Sequence, residues 1–234
     1  YDLNVIATDN GTPILTDTQA VTVSVNDVNE APTEVGLANV TSDLSENSDT
    51  SAAMKVADID ITDDALGTNS ISLSGNDAAS FTVVGSALYL NAGVALDYET
   101  QTSYAVTVSV QDDSLTGSTP VTVNYALNVT DANEAPVITS STTANVDENA
   151  AITTVIYTAA ASDIDAGQTL SYSLSGTDAA AFNIDATTGK VRLNSSADFE
   201  TKASYDLNVI ATDNGTPILT DTQAVTISVN DVNE

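Results

Sequence analysis

The sequence predicts an all-β chain built from small sandwiches joined in tandem. Three observations predict it. The chain repeats itself at the spacing of a small domain, its apolar residues alternate with polar ones over short runs, and turn residues separate those runs. Residues 1–30 recur at 205–234 with one change, Val23 to Ile227, at an offset of 204 residues. Self-similarity at a fixed period marks a tandem array. Within that offset, Asp27-Val28-Asn29-Glu30, Asp131-Ala132-Asn133-Glu134 and Asp231-Val232-Asn233-Glu234 end successive repeats, 104 and 100 residues apart. Ala31-Pro32 and Ala135-Pro136 follow the first two. About 100 residues is the size of one small domain. The repeats are related rather than identical: Leu73-Ser74-Gly75 returns as Leu174-Ser175-Gly176, and Asp97-Tyr98-Glu99-Thr100 as Asp198-Phe199-Glu200-Thr201. The expected domains are therefore 1–30, the C-terminal fragment of a repeat; 31–134, a whole repeat; and 135–234, a second whole repeat. The chain reads as a slice of a longer protein.

Taken in order, residues 1–30 supply the last two strands of a sandwich around an Asn10-Gly11 turn. Two strands cannot bury a core alone, so this segment is expected to be poorly ordered or to pair with a neighbouring chain. In 31–134, Gly67, Gly75-Asn76 and Gly93 punctuate the early strands. Tyr104, Val106, Val108 and Val110 then share one face, and Val121, Val123, Tyr125, Leu127 and Val129 another. In 135–234, Thr188-Gly189 and Asn214-Gly215 mark turns. Tyr205, Leu207, Val209 and Ala211 form one strand face, and Val225, Ile227 and Val229 the next. Period-two runs rich in Val, Ile, Thr and Tyr are half-buried strands, and no amphipathic helix longer than about two turns appears. About seven short strands per 100 residues reads as an Ig-like sandwich. The absence of Cys and Trp removes the antibody-type disulfide and its core partner. Tyr104, Tyr125, Tyr172 and Tyr205 are expected in the core rather than on a sugar-stacking platform.

Composition narrows the function. Asp and Glu number 33 against 4 Lys and Arg, a formal charge of −29. Nucleic acid and anionic membrane surfaces would be repelled. Disorder is the other habit of acidic chains, but 42 % hydrophobic residues in strand alternation argue against it. A cysteine-free, acidic, sandwich-rich chain fits a secreted protein that uses a staple other than disulfides. No apolar stretch is long enough to span a membrane as a helix.

The acids recur at five points in each full repeat. They are Glu46 and Glu148; Asp58/Asp60 and Asp163/Asp165; Asp97/Glu99 and Asp198/Glu200; Asp112 and Asp213, with Asp9 in the fragment; and the Asp-x-Asn-Glu endings. Hard cations such as Ca²⁺ take six to eight oxygen ligands, which clustered Asp, Glu and Asn provide. With no His or Cys, nothing suits a softer metal. The bland alternative is a solvated acidic surface. Asp63 and Asp64, an extra pair in the first full repeat, read as a solvated loop.

This order of motifs resembles the cadherin repeat, and most closely the cadherin-like repeats of large bacterial surface adhesins (the extender region of RTX-type adhesins). The resemblance covers the whole chain. It implies Ca²⁺ held between successive repeats by the early Glu, Asp-x-Glu and Asp-x-Asn of one repeat and the Asp-x-Asp and lone Asp of the next. One junction would then be complete: Glu46, Asp97, Glu99, Asp131, Asn133 and Glu134 with Asp163, Asp165 and Asp213. A second would be partial, joining Asp27, Asn29 and Glu30 to Asp58, Asp60 and Asp112. A third half-site would comprise Glu148, Asp198, Glu200, Asp231, Asn233 and Glu234. The animal pattern carries one more Asn before Ala-Pro, and this chain lacks it at all three endings, which leaves the ion count open at three, two or one per junction.

The function expected is a calcium-rigidified extender of a secreted or cell-surface bacterial adhesin, involved in adhesion and biofilm formation. Its partners would be neighbouring repeats of the same chain, with homophilic or lateral self-association also open. The alternative is an adhesive module that itself grips a copy of itself or a glycan, since an edge strand is a ready pairing template. An enzyme is not expected. Asp97/Glu99 has the i, i+2 look of an acid–base pair, but it recurs beside acids that complete a cation shell, and no Gly-x-Ser-x-Gly elbow is present. Asn39, Asn128 and Asn194 open glycosylation triplets of the kind that Thr- and Ser-rich strands produce by chance.

Overall fold

The computed structural model describes residues 1–233. The chain is all-β, a tandem of Ig-like sandwiches. It divides into two compact units. The first comprises Tyr1–Leu44, Ser48–Ala95 and Ser103–Asn128; the second comprises Ser45–Asn47, Leu96–Thr102 and Val129–Glu234.

The first unit opens with a two-stranded ribbon of β1 (Asp2–Thr8) and β2 (Thr16–Thr22). A sandwich follows, made of β3 (Glu34–Ala38), β4 (Asp43–Ser45), β5 (Met54–Thr62), β6 (Asn69–Ser74), β7 (Phe81–Val84), β8 (Ala87–Leu90), β9 (Ser103–Asp112) and β10 (Val121–Thr130). One sheet has the order β3-β5-β8-β7 and the other β4-β10-β9-β6. Eight strands stand where about seven were expected, because the first strand changes sheets. Asn39 sits between β3 and β4 at φ 48°, a left-handed turn that Asn tolerates better than most residues. Val56, Ile59, Leu88 and Leu90 from one sheet and Val106, Val108, Val110 and Leu127 from the other are buried. The Phe81 and Tyr125 rings meet edge to face at 5.7 Å. The Tyr125 hydroxyl donates to the Thr41 carbonyl at 2.6 Å, and burial pushes its phenol up to about 12.

The second unit repeats this plan with β11 (Val137–Ile138), β12 (Thr143–Asp147), β13 (Tyr157–Thr158), β14 (Ala161–Ser162), β15 (Ser171–Ser175), β16 (Phe182–Ile184), β17 (Lys190–Leu193), β18 (Ser204–Thr212) and β19 (Thr220–Asn230). One sheet runs β12-β19-β18-β15, with β12 parallel to β19. The opposite layer is split into β13-β17-β16 and β11-β14, because the strand that is continuous as β5 in the first sandwich breaks here between Thr158 and Ala161. Val146, Phe182, Val191, Leu193, Val209 and Ile227 lie in its core. Tyr104 and Tyr125 are buried as their spacing predicted, whereas Tyr172 and Tyr205 are half-buried against the core.

The repeated 30 residues appear in two settings. β1 and β2 pair from Asp2↔Thr22 to Thr8↔Thr16, and β18 and β19 pair from Asp206↔Thr226 to Thr212↔Thr220, the same register. The ribbon is paired but bare: Leu3 is 44 % exposed where Leu207 is 2 %, and Val5 is 53 % exposed where Val209 is 0 %.

Candidate metal centre

The acid cluster of the second unit is organised by Glu46. This residue follows β4, and its own N–H donates to the Thr130 carbonyl at 3.2 Å. Its two carboxylate oxygens accept from the backbone N–H groups of Tyr98 and Ala132, each at 2.7 Å. One side chain thereby ties the Asp97–Gln101 turn to the segment that ends the repeat. Asp97 closes that turn itself, accepting from the Thr100 N–H and hydroxyl at 2.8 Å each. The turn presents Glu99. Glu46, Glu99, Asp131 and Glu134 then offer carboxylate oxygens that all lie within 4.8 Å of one another.

The loop after β14 approaches from the next repeat. The Asp163 carboxylate accepts from the Asp165 N–H at 3.1 Å, and the Asp165 carboxylate from the Glu134 N–H at 3.0 Å. Asp213 is 4 % exposed; its Oδ1 accepts from Gly215 and Leu219 N–H, and its Oδ2 from the Asn133 amide at 2.9 Å. All nine residues expected at the complete junction lie within this unit.

Burial and like charge oppose ionisation at three of the cluster's carboxyls. Burial, then the charges of Glu46, Asp165, Glu99 and Asp131, push the Glu134 carboxyl up to about 7. Burial and neighbouring carboxylates raise Glu99 and Asp131 as well. Burial opposes ionisation of Asp213, but the hydrogen bonds from Leu219, Asn133 and Gly215 outweigh it and hold the carboxyl below its usual value. Three buried oxygens here, Glu134 Oε2, Asp163 Oδ2 and Gln168 Oε1, accept no hydrogen bond. Like charges at this spacing with open, water-shielded lone pairs fit a hard divalent cation.

A related cluster lies in the first unit. The Asn29 amide donates to fully buried Asp112 at 2.7 Å, and Asp112 also accepts from the Ser114 and Thr68 N–H groups. The Glu30 N–H donates to Asp64 at 2.9 Å, the contact that Glu134 makes with Asp165. The Asn69 amide donates to Asp63 at 2.6 Å. Asp27 accepts from the neighbouring Val28 N–H. Asp58 and Asp60, expected in this group, are not brought to it. They lie inside β5, opposite Ala38 and Gly36 of β3, and Asp58 instead meets Lys55 and the Asn39 amide. Asp63 and Asp64, expected as a solvated loop, stand there in their place. The signal was present: Asp64 precedes Leu73 by nine residues, as Asp165 precedes Leu174.

The third group repeats the anchor. Glu148, 4 % exposed, accepts from Phe199 N–H at 2.9 Å and Val232 N–H at 2.7 Å. Glu148, Asp198 and Glu200 form a second set of carboxylates within 4.8 Å, and Asp198 closes its turn on Thr201 as Asp97 does on Thr100. Asp231 and Asn233 are exposed. Glu234 lies outside the described residues.

Comparison with known proteins returns cadherin-related sequences and structures. Residues 142–230 match the cadherin domain. Cadherin EGF LAG seven-pass G-type receptor 2 of Homo sapiens is 34 % identical over 241 residues, covering 100 % of this chain and 8 % of the receptor. The chain thus spans less than a tenth of that relative's length. The solved extracellular cadherin domains 1–5 of protocadherin gamma B2 superpose with a TM-score of 0.68 at 28 % identity, covering 100 % of this chain and 46 % of that one. A protocadherin gamma B7 EC3–6 cis-dimer structure gives 0.60 at 26 %, covering 100 % and 59 %.

Proposed function

We propose that this chain, cadherin-like along its whole length, is a calcium-stiffened segment of an extracellular adhesion protein, with Ca²⁺ held where one repeat passes into the next. The observation that carries this reading is the group Glu46, Glu99, Asp131 and Glu134, four carboxylates within 4.8 Å of one another, beside buried oxygens of Glu134 and Asp163 that have no donor. Asp97, Asp165 and Asp213 complete the proposed ligand set, and the first-unit cluster would draw on Asn29, Asp63 and Asp112. A bound Ca²⁺ supplies charge neutralisation. The chain's own residues supply placement: Glu46 fixes the turn and the linker together, and Asp165 grips the Glu134 backbone. Binding to the folded arrangement alone raises its stability by linkage. Extracellular Ca²⁺ modules work at dissociation constants of roughly 10⁻⁴–10⁻³ M.

The extender role rests on the near-identity of residues 1–30 and 205–234, because an array of like units adds reach rather than new chemistry. The setting in a secreted bacterial adhesin rests on that repetition and on the absence of Cys; the named relatives are animal cadherins. A second reading, a module that itself associates with another copy, is favoured by the likeness to the protocadherin cis-dimer. No catalytic role is assigned. The test is thermal unfolding in Ca²⁺ and in Mg²⁺ at equal ionic strength. The proposal requires stabilisation that is specific to Ca²⁺ and is lost in the Glu99→Ala/Glu134→Ala variant. Equal effects of the two ions, or an unchanged variant, would contradict it.

A further inference from the structure

The two linker asparagines, Asn29 and Asn133, hold the same place in the repeat but end in different hydrogen bonds. The Asn29 amide nitrogen donates to Asp112 at 2.7 Å, while its oxygen is buried and accepts nothing. Two further oxygens of that cluster, Asp63 Oδ1 and Asn69 Oδ1, are buried and open in the same way. The Asn133 nitrogen donates both to Asp213 and to the Pro217 carbonyl, each at 2.9 Å. Two acceptors on the nitrogen settle which way this amide faces. Its oxygen then accepts from the Gln168 side-chain amide and lies 1.6 Å from where a Cβ on Gly215 would stand, so it is packed directly on that glycine. The Gln168 N–H fills one of this oxygen's two lone pairs and Gly215 lies against it, so a cation 2.3–2.6 Å away would compete with that N–H. The sequence cause is small. Asn69 stands two residues beyond Gly67, whereas Gln168 follows Gly167 directly and is one methylene longer.

We infer that Gln168 stands in for a cation at Asn133, so that the two linkers hold different numbers of Ca²⁺: Asn29 is a ligand, and Asn133 is a hydrogen-bonded latch. This rests on the calcium reading above. The test is a count of Ca²⁺ bound to the whole chain by equilibrium dialysis, with circular dichroism to establish that each variant is folded. Asn29→Ala should lose one ion, Asn133→Ala should keep the wild-type number, and Gln168→Ala should gain one. Gln168→Glu, which replaces the donor with a carboxylate at the same length, should gain one too. Loss of an ion in Asn133→Ala equal to that in Asn29→Ala, or an unchanged count in both Gln168 variants, overturns the inference. A wild-type count of zero overturns the calcium reading itself and this inference with it, and is distinguished by needing no variant.

Discussion

Glu46 and Glu148 each satisfy two backbone N–H groups with one carboxylate, joining a turn to the end of a repeat. Hydrogen bonds to a charged group contribute about 1.5–3 kcal/mol each and leave unpaired donors when removed. Glu46→Ala should therefore lower stability by on the order of 2 kcal/mol or more in urea unfolding without Ca²⁺, and Glu46→Gln by less. Glu134 predicts a pH effect of opposite sign to ordinary acid denaturation. Its carboxyl is raised from 4.5 to about 7, so between those values the folded state keeps a proton that the unfolded chain has released. Its contribution is full below the lower value and is lost as pH rises toward the upper one. In chelator, Glu134→Gln should remove part of any fall in melting temperature between pH 5 and pH 7.5. With Ca²⁺ present the wild type should gain stability over the same interval, because the cation displaces that proton. Gly215 is a third handle. A Cβ there would stand 1.6 Å from Asn133 Oδ1, so Gly215→Ala should expel the Asn133 side chain and destabilise the second unit, as read by urea unfolding.

The repeated strand pair separates what an element codes locally from what packing adds. Both copies adopt one register, and in both an Asp closes the loop: Asp9 accepts from Gly11 and Leu15 N–H, and Asp213 from Gly215 and Leu219 N–H. Burial differs completely, so the same substitution should have two outcomes. Leu207→Ala should cost about 2–5 kcal/mol and Leu3→Ala within about 0.5 kcal/mol, measured by urea unfolding of each variant. Alternation and turn residues made these strands legible, since period two and Asn-Gly turns are local signals. The ribbon keeps that register without a core, through its cross-strand pairing and the Asp9 loop. The Asp58-Ile59-Asp60 motif misled. Spacing shows that two acids share a strand face, but only the pairing of β5 with β3 shows that the strand continues past them to Thr62, leaving the loop to Asp63 and Asp64. The Glu46 anchor was visible as a recurring acid, though its backbone partners, 52 and 86 residues away, were not.

At the scale of the whole molecule, a charge of −29 on 234 residues has to be managed. Much of it is gathered in three groups around Asp112, Glu46 and Glu148, where repeats end. Acids drawn together at a linker repel when empty and bind when filled, so Ca²⁺ should convert a flexible array of sandwiches into a stiff one. The Asp163→Ala/Asp165→Ala pair should loosen the 134/135 linker while leaving each sandwich folded by circular dichroism. Small-angle X-ray scattering of the wild-type chain with Ca²⁺, with chelator, and with Mg²⁺ at equal ionic strength tests the claim most directly. Ca²⁺ alone should lengthen the particle and narrow its distance distribution. Identical profiles in all three conditions would contradict it and leave the acids as a solvated surface.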